Sequence, residues 1–251
     1  MSTPKREFES WLIAIWGLAA YASMAASMLA LAALMIGLWP QPVAVPPGSA
    51  IGINLTLLVL FGIQHSVMAR SWFKRWSPLP ESMERSGYVL VSSLALIAVC
   101  WLWRPLDGMA WRIDHGVARF ALHLGFVVGL GWTVVSTFLI DHAHFVGLRQ
   151  ALAPWRGTGT SRDLEFQTPG LYRIVRHPMM TGTFLVLWST PEMSWDRLLL
   201  ALGLSVYIRI GVIFEERDLV RTFGLTYRAY QRTVPMLVPG LRPRIRRRVA
   251  V

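Results

Sequence analysis

Four long apolar stretches constrain the fold of this chain more than any other feature of its sequence. They run from about Trp11 to Trp39, from Ile51 to Met68, from Tyr88 to Trp103 and from Val117 to Ile140. A helix of about 20 apolar residues crosses the hydrocarbon core of a bilayer, so each stretch predicts a membrane-spanning helix. The chain is 54% hydrophobic, which excludes intrinsic disorder, because a disordered chain has low hydrophobicity.

A shorter apolar pair follows a long polar stretch in the last third of the chain. Met179 to Thr190 ends at Pro191-Glu192, and Leu198 to Phe214 follows it. This pattern predicts a helical hairpin whose first arm is barely long enough to span. The expected fold class is therefore an all-α integral membrane protein with five or six transmembrane helices, including a C-terminal helical hairpin.

The basic residues predict how the chain is oriented in the membrane. The formal net charge is +11, although only 16% of the residues are charged. Cytoplasmic loops are enriched in Lys and Arg, and here the basic residues cluster in residues 70–85, 149–176 and 242–248. Both termini are therefore expected in the cytoplasm, with the arginine-rich tail against anionic lipid. Nucleic-acid binding is not expected, because no fold signature for it accompanies the charge.

A single membrane domain is expected over residues 1–251. Residues 1–145 would hold four transmembrane helices, residues 146–240 a cofactor-binding region with the hairpin, and residues 241–251 a basic tail. Cys100 is the sole cysteine and lies in an apolar run, so it is expected to pack in the interior. A disulfide framework and a thiolate metal cluster are excluded.

The motif Arg176-His177-Pro178 opens the first arm of the hairpin. Proline is favoured at the first position of a helix, so His177 falls at the N-cap. The first turn, Met179 to Gly182, leaves free backbone N–H groups that can bind an anion. Arg176 beside them adds a cation able to bind a carboxylate through two hydrogen bonds.

The second arm of the hairpin ends on an acidic pair, Glu215-Glu216. Two carboxylates at the edge of a membrane helix are costly without a partner. A mostly aromatic stripe at helical spacing follows on one predicted helix face, formed by Leu219, Phe223, Tyr227 and Tyr230. Such a stripe is more often packing than a ligand site, but the neighbouring acids and the Arg-His-Pro turn favour a ligand here.

Together these pieces suit a zwitterionic ligand that carries a nucleoside. A helix N-terminus with Arg176 can hold a carboxylate, and Glu215 or Glu216 can hold an ammonium group or ribose hydroxyls. Aromatic and apolar side chains can enclose a base. S-adenosylmethionine carries all of these groups, although other nucleotides and amphiphiles fit the same chemistry.

The spacing of these motifs resembles the membrane superfamily of isoprenylcysteine carboxyl methyltransferases and phospholipid methyltransferases. The shared pattern joins Leu-Tyr-x-x-x-Arg-His-Pro, which ends at Pro178, to Glu-Glu-x-x-Leu-x-x-x-Phe-Gly-x-x-Tyr-x-x-Tyr-x-x-x-Val-Pro, which ends at Pro235. Further upstream, Phe61 to Arg70, Trp72 to Trp76 and Gly147 to Gln150 resemble the bacterial methanethiol S-methyltransferases.

The resemblance implies S-adenosylmethionine as the methyl donor, methanethiol as the thiol substrate and dimethyl sulfide as the product. It also implies a substrate pocket among the membrane helices. We expect the protein in a bacterial inner membrane, with the cofactor site on the cytoplasmic side. Leu164 to Gln167 corresponds to a segment that contacts the cofactor. Carried over by position, the cofactor-binding residues are Gln167, Tyr172, His177, Pro178, Met179, Met180, Glu215, Glu216 and Tyr227.

His65, His142 and Arg176 are the candidate catalytic residues. A thiol reacts as its thiolate, so a nearby base or cation should help to remove its proton. The alternative role for His65 is a hydrogen bond that ties two helices together. No metal site is predicted, since His142 and His144 do not share a helix face.

Three alternatives to methanethiol methylation remain open. The first two are methylation of a phospholipid amine and methylation of a larger, isoprenyl-type thiol or carboxyl group. Prenylcysteine enzymes carry an arginine one turn before the glutamate, where this chain has Gly211 and Val212, with Arg209 further back, so carboxyl methylation is disfavoured. The third is a non-enzymatic transporter or scaffold, against which the absence of an inverted repeat argues. The oligomeric state is left open.

Overall fold

The computed structural model describes residues 4–156 and 166–241, and within them it is dominated by helices. The predicted basic tail, residues 241–251, lies outside the described residues from residue 242 onward. The elements follow one another along the chain as α1 Pro4–Met35, α2 Pro47–Met68, α3 Ser71–Trp76, α4 Glu81–Leu102, β1 Met109–Arg112, α5 Gly116–Ile140, α6 His142–Phe145, α7 Leu148–Arg156, a 3-10 turn Gly170–Arg173, α8 Pro178–Trp188, β2 Glu192–Ser194 and α9 Trp195–Thr233.

Five of these helices are long and apolar enough to cross a membrane: α1, α2, α4, α5 and α9. A sixth, α8, is apolar but has only 11 residues. The predicted all-α membrane fold with five or six transmembrane helices is therefore confirmed, with five helices of membrane-spanning length in the described residues. The third span begins at Glu81 rather than at Tyr88, because Glu81 and Glu84 occupy the first turn, where negative charge favours the positive end of the helix dipole.

The core of the bundle lies where α1, α4, α8 and α9 meet. Helix α1 packs along α4, α5 packs along α8, and α2 lies against both α4 and α9. Cys100 is fully buried there, as its apolar surroundings in the sequence predict. The largest fully buried side chains of this core come from α1, the residue after α4, α8, β2 and α9: Leu34, Met35, Trp103, Leu187, Met193 and Leu200.

Two glycines allow α5 and α8 to approach each other closely. A Cβ atom added at Gly182 would lie 2.6 Å from the backbone nitrogen of Thr133 and 2.7 Å from the carbonyl oxygen of Gly129. A Cβ atom at Gly129 would lie 2.8 Å from the carbonyl oxygen of Gly182. All three distances are shorter than van der Waals contact, so only glycine permits this helix crossing, as at many contacts between membrane helices.

The two short strands lie at one end of the bundle, which we call the strand end. Strand β1, between α4 and α5, pairs antiparallel with β2, between α8 and α9. The backbone N–H of Ile113 donates to Pro191 O at 2.9 Å, and the indole N–H of Trp111 donates to Thr190 O at 3.0 Å. The sequence analysis did not predict either strand.

Side chains also join the connections at the strand end. The amide of Asn54 exchanges two 2.8 Å hydrogen bonds with the backbone of Arg104. The guanidinium of Arg197 donates to Met35 O at 3.0 Å. The opposite end, which we call the site end, holds the C-terminal ends of α2 and α5 and the N-terminal ends of α4 and α8.

The hairpin of α8 and α9 is asymmetric. At 1.5 Å per residue, the 11 residues of α8 reach about 16 Å, roughly half of the ~30 Å hydrocarbon core. The chain continues from α8 towards the strand end through Ser189 and Thr190 into β2. Helix α9 has 39 residues and is interrupted at Gly224, whose φ of 55° and ψ of −124° are not helical. The predicted single helix under the aromatic stripe is therefore wrong, because the chain bends between Phe223 and Tyr227.

Candidate active site

The N-terminus of α8 is built as the sequence predicts. His177 occupies the N-cap and Pro178 the first helical position. The preceding backbone pairs with the segment that follows α9, since Arg176 N–H donates to Pro235 O at 2.9 Å and His177 N–H donates to Met236 O at 3.1 Å. This pairing brings the two motifs, separated by the hairpin, into contact.

A cluster of charged side chains joins the start of α8 to the second half of α9. Arg176 Nε donates to Glu216 Oε1 at 2.6 Å, and His177 Nε2 lies 3.1 Å from the same oxygen. Gln231 Nε2 donates to the other carboxylate oxygen at 3.0 Å. His177 Nδ1 lies 3.4 Å from Glu215 Oε2. The single carboxylate of Glu216 thus accepts hydrogen bonds from three side chains.

The cluster also sets the charge of His177. Burial opposes protonation of this imidazole, but hydrogen bonds and charge from Glu215 and Glu216 outweigh burial and raise its pKa to about 9. His177 is therefore protonated at neutral pH. With Arg176, the cluster holds two positive and two negative side chains, so it is neutral as a whole.

Arg176 forms its hydrogen bonds with other residues of the protein. It is 8% exposed, and beyond its ion pair with Glu216 its Nη1 atom donates to the carbonyl oxygens of Gln231 and Val234. A side chain held in this way fixes the fold around the site. The sequence analysis predicted a ligand contact for this guanidinium and did not predict these internal partners.

The two neighbouring glutamates differ in exposure. The side chain of Glu216 is 10% exposed, whereas that of Glu215 is 51% exposed. The sequence left open which of the two faces a ligand. The structure presents the Glu215 carboxylate at the surface and encloses the Glu216 carboxylate among its partners.

Aromatic rings from three parts of the chain form the other half of the candidate site. The ring centroid of Phe166 lies 5.3 Å from Phe223, 5.8 Å from Tyr227 and 5.3 Å from Tyr230. The hydroxyl of Tyr230 donates to Tyr172 O. Tyr227 is 2% exposed, and its hydroxyl has no hydrogen-bond partner within the described part of the chain. A buried hydroxyl without a partner costs about 1–3 kcal/mol, which marks a place where a bound polar group would add stability.

Phe166 was not singled out from the sequence. The signal available was its position next to Gln167, inside the segment Leu164 to Gln167 that the resemblance marks as contacting a cofactor. Leu164 lies outside the described residues. Burial, together with the nearby Glu215 and Tyr230, raises the pKa of Tyr172, so its phenol stays neutral.

The other predicted cofactor residues lie around the same turn. Pro178 is buried, Met179 and Met180 are partly buried, and Gln167 is exposed. Met180 packs against the core. The structure therefore brings the C-terminal candidates together at the site end, at the junction of α8, α9 and the 3-10 turn.

A surface groove of about 430 Å³ lies beside this cluster. Glu216, Gln231 and Met236 form its inner wall. Its outer wall carries three arginines of α9, namely Arg209, Arg217 and Arg221.

His65 lies at a different place, between α2, α4 and α9. Its Nε2 atom is 2.7 Å from the hydroxyl of Tyr88 on α4. Its ring centroid lies 5.5 Å from Phe61 and 6.0 Å from Tyr207. The hydrogen bond ties α2 to α4, which is the alternative role that the sequence left open for this histidine.

His142 follows the end of α5 and faces α1. Its Nδ1 atom lies 2.7 Å from the hydroxyl of Thr137, and its ring stacks on Phe138 with centroids 4.0 Å apart. The ring of Tyr21 meets it edge-on at 5.4 Å. Burial lowers the pKa of His142, so its imidazole is neutral at neutral pH. His65 and His142 thus belong to separate environments.

No metal centre stands out in the described ranges. Across residues 4–156 and 166–241, no three His, Cys, Asp or Glu side chains lie together as potential metal ligands.

Comparisons with known proteins assign the chain to a family. It is 45% identical to methanethiol S-methyltransferase 2 of Bradyrhizobium diazoefficiens, over 93% of this chain and 92% of that protein. It is 44% identical to the methanethiol S-methyltransferase of Mycobacterium tuberculosis, over 78% and 81% of the two chains. Nurim of Sus scrofa is 31% identical over 66% of each chain. No protein-family model and no solved structure matches the sequence. The chain therefore belongs to the methanethiol S-methyltransferase family.

Proposed function

We propose that this membrane methyltransferase transfers a methyl group from S-adenosylmethionine to methanethiol and releases dimethyl sulfide. The observation that carries the proposal is the 45% identity to a methanethiol S-methyltransferase over nearly the full length of both chains. The bound donor would supply an activated methyl group on a sulfonium. The protein must then hold the two reactants in line and exclude water.

The junction of α8, α9 and the 3-10 turn is the proposed cofactor site. Tyr227 supports it, because its buried hydroxyl without a partner fits a ligand that carries both a flat base and polar groups. Glu215 is the proposed contact for the ammonium group or the ribose, since its carboxylate is half exposed. The remaining proposed lining is Gln167, Tyr172, His177, Pro178, Met179 and Met180.

Arg176 and Glu216 are proposed to position this site rather than to touch the ligand through free charges. Their side chains are buried and paired with each other. They join the start of α8 to the end of α9, which holds Glu215 and Tyr227 in place. Among the candidate catalytic residues, His65 is favoured over His142 because its partner Tyr88 lines a cavity.

The proposed location is a bacterial inner membrane, with both termini and the site end in the cytoplasm. Crossings by α1, α2, α4, α5 and α9, with α8 and the non-helical residues after it counted as one further crossing, return the chain to the side where it began. Basic residues of the site end, among them Arg70, Arg75 and Arg85, agree with cytoplasmic exposure of that end.

The function is tested with purified protein in detergent or lipid nanodiscs. Protein, S-adenosylmethionine and methanethiol should together yield dimethyl sulfide in the headspace, and omission of either substrate should abolish it. Methylation of another thiol, an amine or a lipid, without dimethyl sulfide, would overturn the substrate assignment. Glu215→Gln should weaken S-adenosylmethionine binding with only a small change in melting temperature, and unchanged affinity would overturn the role of Glu215.

A phospholipid amine is the second candidate substrate. The groove lined by Arg209, Arg217 and Arg221 favours it, since guanidinium groups pair well with phosphate. The same reaction with a radiolabelled methyl donor and native lipid decides between the two. Label in the organic extract supports lipid methylation, and label in the volatile fraction supports methanethiol.

A further inference from the structure

A second cavity lies at the site end, away from the proposed cofactor residues. It has a volume of about 320 Å³ and is enclosed by the end of α2, α3, the start of α4, α6 and α7. Since one water takes about 30 Å³ of liquid, this space is large enough for a small thiol and several waters. Its apolar wall includes Met68, Phe73 and Leu79, and its polar wall includes Arg85, Tyr88 and Gln150.

Gln150 shows that this cavity is built for a polar contact. The residue is 7% exposed, and its Nε2 atom lies 2.9 Å from Nδ1 of His144. Its Oε1 atom has no hydrogen-bond partner among the residues that the structure describes. A buried carbonyl oxygen without a donor costs about 1–3 kcal/mol. A ligand that donates a hydrogen to this oxygen would remove the cost.

Tyr88 can offer a hydrogen bond to the same ligand. Its hydroxyl lies 2.7 Å from His65 Nε2, while the buried Nδ1 of His65 has no partner among the described residues. A buried N–H without an acceptor is rarer than a buried acceptor without a donor, so the ring hydrogen is placed on Nε2. His65 then donates to the phenol oxygen, and the hydrogen of Tyr88 can be donated to the Ser92 hydroxyl, one turn further along α4, or to an acceptor in the cavity.

Arg85 supplies a positive charge in this wall. Its Nε donates to Phe145 O at 2.9 Å. Its guanidinium carbon lies 5.7 Å from the ring centroid of Tyr88 and 5.4 Å from that of Phe145. These contacts hold the guanidinium in place, so its positive charge can stabilise an anion bound next to Tyr88.

The cavity adjoins the helix that carries the acidic pair. Ala69 lines the cavity, and the guanidinium of the next residue, Arg70, lies 5.1 Å from the ring centroid of Phe214 on α9. Phe214 is followed directly by Glu215 in the sequence. Ala69 and Arg70, which follow the end of α2, therefore connect the lining of the cavity to the part of α9 that precedes the acidic pair.

We infer that this cavity binds the thiol substrate and holds it as a thiolate between Arg85 and Tyr88, an inference that rests on the proposed function. The incoming S–H donates to Gln150 Oε1, and its proton then leaves to water. The thiolate sulfur accepts a hydrogen bond from the Tyr88 hydroxyl and forms an ion pair with the guanidinium of Arg85. Methyl transfer forms the new S–C bond as the C–S bond of the sulfonium breaks, so the donor leaves as a neutral thioether and charge balances.

The thiolate assignment makes a prediction about pH. The charged and titratable groups that face this space are Glu81, Glu84, Arg85, Tyr88 and His144, with His65 behind Tyr88. The rate at saturating methanethiol should rise with pH as the bound thiol ionises. Arg85→Gln removes the stabilising cation, so the midpoint of this rise should move up by about one pH unit. Glu84→Gln removes a repelling anion, so the midpoint should move down.

Three further variants keep the test decisive if Arg85→Gln folds poorly. Arg85→Lys retains the charge and should keep the midpoint of the wild type. Tyr88→Phe should move it up and lower the rate about tenfold or more, because one hydrogen bond to the anion is lost. Tyr207→Phe is the matched control: Tyr207 also contacts the His65 ring, but its hydroxyl bonds to Ser66, so midpoint and rate should stay unchanged.

The outcomes separate this inference from the proposed function. If wild-type protein makes dimethyl sulfide but the midpoint is the same in Arg85→Gln and Glu84→Gln, the thiolate site is wrong and the function stands. If wild-type protein makes none, the proposed function fails first. Opposite shifts in these two variants support the site, because general damage to the fold would not move the midpoint in opposite directions.

Discussion

Arg176 Nε lies 2.6 Å from a carboxylate oxygen of Glu216, although the two residues are 40 positions apart in the chain. Both side chains are nearly enclosed, at 7% and 10% exposure. An ion pair of this kind is costly to form and more costly to break, because removing one partner leaves an uncompensated buried charge. The pair thus fixes the hairpin at the point where the ligand candidates converge.

Replacing Glu216 should therefore lower the free energy of unfolding, and any loss of activity should follow from that loss of stability. Glu216→Gln leaves Arg176 without its counter-ion, and we expect a loss of about 3 kcal/mol or more. The measurement is thermal unfolding in detergent followed by circular dichroism. Glu215→Gln is the matched control and should cost under about 1 kcal/mol, because the side chain is half exposed. Equal losses in the two variants would contradict the assignment.

The raised pKa of His177 predicts a stability that falls with pH. Its pKa is about 9 in the folded protein against 6.5 in the unfolded chain. The stabilisation from its charged form is full below about pH 6.5 and is lost as the pH rises through about 9. Melting temperatures measured from pH 6 to pH 10 should decline across this window. His177→Gln should flatten that decline, and an unchanged slope in the variant would show that another group causes it.

The bend in α9 predicts opposite effects of alanine at two glycines of the same helix. Gly224 has a φ of 55°, which side chains other than glycine adopt only at a cost of about 1–3 kcal/mol. Gly211 has helical backbone and no neighbour within 4 Å of an added Cβ, so alanine there should stabilise by about 0.5–1 kcal/mol. Unfolding midpoints of Gly224→Ala and Gly211→Ala decide the matter. Stabilisation by Gly224→Ala would mean that α9 is straight.

The close crossing of α5 and α8 can be tested in the same way. Gly182→Ala would place a methyl group 2.6 Å from Thr133 N, so the helices must separate, at about 1–3 kcal/mol. Gly131→Ala is the control on α5, because nothing lies within 4 Å of its added Cβ. We expect a lower melting temperature for Gly182→Ala alone. If both variants match the wild type, the helices are further apart than described here.

Much of the fold follows from local sequence. Apolar runs of membrane length predict α1, α2, α4, α5 and α9, since a helix satisfies its own backbone in lipid. The Arg-His-Pro motif predicts the start of α8 to the residue, because proline removes an N–H that the first turn does not use. These features depend on neighbours within a few positions along the chain.

The features that the sequence analysis missed depend on distant partners. Strands β1 and β2 have four and three residues, too few for a pattern, and they pair across about 80 positions. Gly224 lies in a polar segment with helical spacing, where an isolated glycine is tolerated, so it gave no signal of a bend. The exposure that separates Glu215 from Glu216, and the placement of Tyr88 beside His65, arise only when helices pack.

The short arm of the hairpin has a consequence for how the protein inserts. Helix α8 ends about halfway through the membrane, so the carbonyl groups of Thr190 and Pro191 must find donors outside their own segment. Trp111 and Ile113 supply them, and both belong to the connection between α4 and α5. The α8–α9 pair therefore cannot settle in lipid as an autonomous unit. We therefore expect the last two crossings to be completed only after the connection between α4 and α5 is in place.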